Sequence, residues 1–469
     1  MMTHTQSTGW LLLVWLMVGV PADGADLRRA PYLQVPTSDS MTIRWRTDDS
    51  ARYTSVVRYG KSPDVLDKAI EAKELPRHFP GVRDWQATID KLDPDTKYYY
   101  ALEADRATLC GADENHWFRT ASPIGKARKL RFWLLGDSGS NRPRDDDLKK
   151  VLAADGPMDP IKVRNGFRKF NKGLPLDGII LLGDNGYPTG TDEQYQASFF
   201  NVYADELRST PLWPCTGNHD LDDAYRYLFT TNSRAKAGGL ASGSMFYYSA
   251  DIANLHLVVL DPWKTWLQET TDEAHLPWRK QLAWFQKDLA ATNQEWVFLV
   301  QHFPVYCQGD YDSDTNGPLK QLRERLVPMC DRFGVDLCLS GHDHTYQRSF
   351  LLHGHLGHSK TFDLKKHLKH TSDGRTEAIV KQPKADAGTL YLVSGTGGGS
   401  RTQGKLTHPA MIPFESAKGK TRGLAIPSSL ILEIDDRTLR GWQVDSNGRV
   451  LDHFTLTHEG PARTASIPK

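Results

Sequence analysis

Six short apolar runs punctuate the chain after Lys129: Arg131 to Leu135, Gly178 to Leu182, Leu255 to Leu260, Trp296 to Val300, Val335 to Leu339 and Leu390 to Val393. Near-continuous runs of this length mark strands covered on both faces, as in a layered α/β core. Helical patterns lie between them. The clearest spans Pro277 to Ala291, where Leu282, Phe285 and Leu289 recur at helical spacing behind an opening proline. Alternation of strand and helix predicts a βαβ-based core packed in layers. Ligands of such sheets bind beyond the carboxyl ends of the strands.

Five motifs sit at those ends: Gly136-Asp137, Gly183-Asp184 with Tyr187, Gly217-Asn218-His219-Asp220, His302, and Gly341-His342-Asp343-His344. Four begin within two residues of the end of a run, and Asn218 follows the shorter run Leu212 to Cys215. Convergence of all five on one rim is therefore expected. Each residue alone has a plainer reading. An Asp after a strand is commonly a helix N-cap, Asn218 a turn residue, Tyr187 a core tyrosine and His219 a surface histidine. Together the motifs supply carboxylates, a phenol, an amide and imidazoles. A single metal needs three or four ligands, so this set fills two adjacent sites and predicts a two-metal hydrolase. One carboxylate can bridge two cations about 3.5–4 Å apart. A phenol, with an ordinary pKa near 10, ligates at neutral pH only beside a strongly charged cation.

Upstream the pattern changes. Met41 to Arg46 and Trp85 to Ile89 alternate apolar and polar, Ser55 to Tyr59 does so more loosely, and Lys97 to Leu102 follows. Turn residues such as Gly60, Pro63 and Asp93-Pro94-Asp95 separate them. Short strands without helical period predict a small β-sandwich over residues 25–122. The tyrosine run after Leu92-Asp93-Pro94-Asp95-Thr96 resembles fibronectin type III domains, an architecture that implies no function. Ala121 to Arg128 reads as a linker.

Two or three domains suit a chain of 469 residues. Lys plus Arg is 58 and Asp plus Glu is 57, a near-balance that gives no sign of a nucleic-acid-binding or anionic-membrane surface. Trp10 to Val20 is the one long apolar run; it is too short to span a bilayer and is followed by Ala22, Gly24 and Ala25. It reads as a signal peptide over 1–24 and predicts a secreted or periplasmic protein without a membrane span once the leader is removed; an uncleaved N-terminal anchor is the alternative. The five cysteines, an odd number, define no disulfide framework, and Cys215 reads as a small core residue.

The ordered set GD-x-G, GD-x-x-Y, GNH-D, a strand ending in His, and GH-x-H resembles the metallophosphoesterases, and Tyr187 narrows this to the purple acid phosphatases. Resemblance covers Lys129 to about Thr457. Leu181 to Tyr187 and Trp296 to Tyr306 look closest to the small tartrate-resistant type, while the N-terminal sandwich looks like that of the larger enzymes. The resemblance implies a metallophosphoesterase domain over 128–457 with a four-layer α-β-β-α sandwich. It assigns Asp137, Asp184, Tyr187 and His344 to Fe3+, with Asp184 bridging. It assigns Asp184, Asn218, His302 and His342 to a divalent metal, and imidazole with oxygen ligands fits Zn2+, Fe2+ or Mn2+. His219 would face substrate and donate a proton to the leaving alkoxide or hold a phosphate oxygen. Asp220 would orient that imidazole, and Asp343 would be structural. The implied reaction is hydrolysis of a small phosphate monoester, by in-line attack of a metal-bound hydroxide with inversion at phosphorus. Phosphodiesters or nucleotides as substrates, or a non-catalytic cell-surface binding protein, are the alternatives.

The match departs from the larger enzymes after His302. They carry further histidines there, whereas Phe303 to Asp314 (FPVYCQGDYDSD) has none. Substrate contacts then fall to His219, with Tyr306 or a histidine of the inserted tract as helpers, and Asp310, Asp312 and Asp314 read as a solvated acidic loop. Two segments look inserted: Asn141 to Pro175, charged and punctuated by Gly and Pro, and the His-rich His353 to Lys384, read as a solvated loop or hairpin beside the site.

Overall fold

A computed structural model describes residues 25–139, 159–262, 277–416 and 419–465. The leader expected over 1–24 lies outside the described residues. Two sheets form the centre of the molecule. In the first, Leu130–Leu135, Gly178–Leu181 and Pro211–Trp213 run parallel. Antiparallel strands Ser428–Asp435, Thr438–Asp445 and Val450–His458 extend that sheet on one side. In the second, Leu255–Val259, Trp296–Val300, Leu337–Ser340 and Thr389–Ser394 run parallel. Tyr248–Ile252 and Tyr346–Leu352 pair antiparallel at its two edges.

The apolar runs behave as central strands because both of their faces are covered. Leu134, Ile180, Trp213, Leu257, Phe298, Leu339 and Leu392 fill one dry layer between the sheets, at about 1.5–3 kcal/mol of favourable transfer per large side chain. The outer face of the second sheet packs on helices Pro277–Ala291 and Gly317–Phe333 through Phe285 and Leu326. The outer face of the first packs on Pro160–Asn171 and Asn201–Leu207 through Phe167 and Tyr203. This is the helix–sheet–sheet–helix order that the resemblance implied. Helix Pro277–Ala291 occupies the residues its period predicted. Asn316 caps Gly317–Phe333 by accepting from the Leu319 amide, and Gly334, at φ 63°, ends it.

The N-terminal residues form two facing sheets. Leu27–Gln34, Met41–Asp48, Val82–Ile89 and Lys73–Glu74 make one. Ser55–Gly60, Lys68–Glu71, Lys97–Ala104, Ala107–Gly111 and Trp117–Arg119 make the other. Trp45, Val57, Trp85, Tyr100 and Phe118 fill the space between them, and Val82–Ile89 alternates buried and half-buried along its whole length. The first of these sheets does not stop at the linker. Leu33 and Gln34 pair in parallel with Pro211 and Leu212, so one sheet of eleven strands runs through both halves of the molecule.

The first apparent insertion differs from its expected form, whereas the His-rich second one is a mostly exposed or half-buried loop anchored at a few points. Residues 159–175 of the first include the amphipathic helix Pro160–Asn171, whose Phe167 ring stacks on Trp133 at 3.9 Å. That helix belongs to the outer layer. The His-rich segment packs over helix Gly317–Phe333: His355 is buried, the Ser359 amide donates to Asp314, and the Gly354 amide donates to Asp331. Four cysteines are buried, Cys110 is half-buried, and none is disulfide-bonded. Among the described residues no helix is long and apolar enough to cross a membrane.

Candidate metal centre

The parallel strands of both sheets deliver their carboxyl-terminal turns to one rim, as the run-and-motif pattern requires. Asp137 follows Leu130–Leu135, Asp184 follows Gly178–Leu181, and Asn218 follows Pro211–Trp213. His302 follows Trp296–Val300 in the facing sheet, and His342 and His344 follow Leu337–Ser340. Asp137, Asp184 and His342 adopt left-handed backbone, at φ 56°, 56° and 65°. This region is costly for residues other than glycine, and Asp and His enter it more readily than most.

Seven side chains close around a shared centre. The Tyr187 hydroxyl lies 3.2 Å from Asp137 Oδ1, 3.0 Å from Asp184 Oδ2 and 3.2 Å from His344 Nε2, and His344 Nε2 is 3.2 Å from Asp137 Oδ1. On the other side, His302 Nε2 lies 3.2 Å from Asp184 Oδ2 and 3.1 Å from Asn218 Oδ1. His342 has its ring 5.1 Å from that of His302 and donates its backbone N–H to Asp137 Oδ2 at 2.8 Å. His302 Nδ1 contacts the Leu182 carbonyl at 2.7 Å, which turns Nε2 towards the cluster. All but Asn218 are buried.

Electrostatics fit a cation-binding role. Burial, then Asp184 and Asp137, push the Tyr187 phenol well above its ordinary range. Burial opposes a charge on His302, yet Asp184 and Asp137 outweigh it and raise the ring to about 9. Burial, with His302 beside it, drives His342 well down. A phenol owns a single proton, yet two carboxylate oxygens and an imidazole nitrogen surround the Tyr187 oxygen at 3.0–3.2 Å. Lone pairs crowded in this way suit ligands converging on a positive ion. Asp137, Asp184 and His302 alone place one donor atom each within 4.8 Å of the others.

His219 borders the cluster, half-buried, with its ring 4.3 Å from that of Tyr187. Its Nδ1 contacts the Pro188 carbonyl at 2.7 Å and its amide donates to Asp184 Oδ1 at 2.7 Å. Asp220 therefore does not orient this imidazole, contrary to expectation; a backbone carbonyl does. The Asp220 carboxylate instead accepts from the amides of Asp184, Asn185, Gly186 and Gly217, from Asn185 Nδ2, and from the Tyr195 hydroxyl at 2.6 Å. It gathers the two ligand-bearing turns by their backbone. Asp343 is structural, accepting from the Gly309 and Tyr311 amides and from Thr345 Oγ1.

Two rim residues were not singled out in the sequence. Tyr311 stacks on His342 at 4.0 Å, and Arg401 donates its backbone N–H to the His344 carbonyl and its Nε to Asp310. The loop carrying Tyr311 reaches the rim because Asp343 holds its amides, a link that no side-chain pattern reports. Tyr306 does not help at the site: its hydroxyl donates to the His355 carbonyl, and the side chain is buried. The acidic residues are engaged rather than solvated, Asp310 with Arg401 and Asp314 with the Ser359 amide.

The sequence profile of the calcineurin-like phosphoesterase domain matches residues 130–346, the stretch that carries all of these ligand-bearing turns. The profile of the purple acid phosphatase N-terminal domain matches residues 29–120. The chain thus carries, in order, the N-terminal domain of purple acid phosphatases and a calcineurin-like phosphoesterase domain. Purple acid phosphatase 21 of Arabidopsis thaliana is 27% identical over 68% of this chain and 65% of its own length. Acid phosphatase type 7 of Homo sapiens is 24% identical over 94% of both chains. A purple acid phosphatase from yellow lupin (Lupinus luteus) seeds shares the fold, with a TM-score of 0.65 and 17% identity over 94% of this chain and 77% of its own.

Proposed function

We propose that the chain hydrolyses small phosphate monoesters at a dinuclear centre, as an acid phosphatase. One observation carries the reading: Asp184 Oδ2 lies 3.0 Å from the Tyr187 hydroxyl and 3.2 Å from His302 Nε2. A single carboxylate oxygen thus faces two donor sets. Asp137, Asp184, Tyr187 and His344 would hold Fe3+; Asp184, Asn218, His302 and His342 would hold Zn2+, Fe2+ or Mn2+. Two such cations neutralise phosphate and lower the pKa of water toward neutrality. The chain's own residues orient and protonate. With Nδ1 committed to the Pro188 carbonyl, His219 keeps Nε2 for the leaving-group oxygen, and Arg401 and Tyr311 flank the mouth. We assign the division into 25–122 and 128–457, the leader over 1–24 and a secreted or periplasmic location to the same proposal.

The test is the visible spectrum and metal content of the purified protein beside Tyr187→Phe. A broad visible band with iron and a second metal near one each per chain, lost in the variant, supports the reading. A band that survives the substitution refutes tyrosinate ligation. Parallel assays on mono- and diesters decide the substrate class.

A further inference from the structure

The two halves of the molecule meet at a buried knot of charge outside the donor cluster. Arg29 and Arg46 are register partners on paired strands, 1% and 3% exposed. Asp192 Oδ1 accepts from Arg29 Nη2 at 2.9 Å, and its other oxygen accepts from Arg46 Nη1. Arg29 Nε also donates to Gln196 at 2.6 Å, and Arg46 forks onto both oxygens of Asp84 at 2.9 Å each. The Phe200 ring lies 4.1 Å from the Arg29 guanidinium. Packing two like charges out of water is a cost that apolar residues of equal volume avoid. What planar guanidinium forks add is direction.

Asp192 opens the short helix Asp192–Tyr195, and both ends of that helix lead to the metal centre. On one side, Thr191 and Gln194 form a capping box, and Gln194 Oε1 also takes the Thr189 amide at 2.9 Å. The turn so fixed passes Gly190, where a Cβ would stand 2.9 Å from Asp220 Cα. It continues back to Pro188, whose carbonyl holds His219, and to Tyr187. On the other side, Tyr195 donates to Asp220, the carboxylate that gathers the Asp184 and Gly217 amides.

We infer that Arg29 and Arg46 of the N-terminal sandwich are positioning residues of the metal centre, acting through Asp192 on the turn that places Tyr187 and the Pro188 carbonyl. The sandwich is then a part of the hydrolytic unit. This inference rests on the dinuclear reading above.

The test removes the knot without leaving a charge unpaired: Arg29→Met, Arg46→Met, Asp84→Asn and Asp192→Asn together, in the full chain. Arg58→Met, whose partner Glu103 lies in the other sheet of the sandwich, is the control. Cooperative melting establishes that the variant folds. Expected are a kcat lower by about tenfold or more with KM within about twofold, and metal lost at least about tenfold faster to a chelator. Backbone amides of Tyr187 and of residues 189–194 in the metal-free protein should also exchange faster, with the control unchanged throughout. A folded variant that matches the parent in metal retention, kcat and exchange overturns the inference. Should the fourfold variant not fold, Asp192→Asn alone is put through the same three measurements, and the same outcomes decide. A parent protein that binds no metal refutes the dinuclear reading by itself, and the exchange comparison still decides the clamp.

Discussion

A methyl group at Gly217 would stand 2.2 Å from Asp184 Oδ1, and one at Gly341 2.5 Å from Asp137 Oδ2. The glycines of these motifs thus give each ligand room beside the neighbouring turn. Asp184 Oδ1 also accepts from the His219 amide, so a methyl group there can be accommodated only by breaking that bond. Gly217→Ala should therefore displace Asp184 while costing the fold only about 1–3 kcal/mol. Elemental analysis should show a protein that melts cooperatively yet retains less than about a tenth of its metal; full metal content would contradict the argument. At His219 the expectation concerns leaving groups. General-acid assistance is worth about 10²–10⁴-fold, so His219→Ala should lose that much on alkyl phosphates and far less on nitrophenyl phosphates. Equal losses on both would remove the proton-donor role. Donor types and their order made the cluster legible in sequence. The work of Asp220 was not, because four of its partners are backbone amides and three of those lie 34 to 36 residues away.

Elements were legible where their apolar spacing was dense. Helix Pro277–Ala291 has Leu282, Phe285 and Leu289 at regular intervals behind its proline. Helix Pro160–Asn171 buries Pro160, Val163, Gly166, Phe167 and Asn171, a face in which only Val163 and Phe167 carry a strong apolar signal, so its segment looked like an insertion. Its anchor is the Phe167 ring stacked on Trp133 at an interplanar angle of 10°. Phe167→Ala should cost about 3–5 kcal/mol, read as a lower denaturant midpoint with an unchanged slope. A loss below about 1 kcal/mol would mean that the helix is held elsewhere.

At the scale of the whole molecule, strand pairing of Leu33 with Pro211 and of Gln34 with Leu212 carries the sandwich sheet into the central sheet. A contact between strands 178 residues apart leaves no periodic trace, which is why the sequence read as two units with a linker. Global stability offers a second long-range test in the second sheet. Buried His256 lies between Asp251, at 2.8 Å from Nδ1, and Asp288 of helix Pro277–Ala291, at 2.9 Å from Nε2. Burial alone would lower its pKa; Asp288 and Asp251 outweigh burial and raise it to about 9. A folded value above the unfolded one of about 6.5 means stability fully present below pH 6.5 and lost as the pH rises through about 9. The shift corresponds to about 3 kcal/mol. Lys381, buried beside Asp336, is lowered to about 8 and acts in the opposite sense above that pH. The comparison therefore needs a reference that keeps Lys381 and removes only the His256 network: His256→Gln with Asp288→Asn. Urea unfolding between pH 6 and 9 should show the parent losing about 3 kcal/mol relative to this variant. Parallel pH profiles would show that the imidazole titrates alike in the folded and unfolded chain, against the raised value.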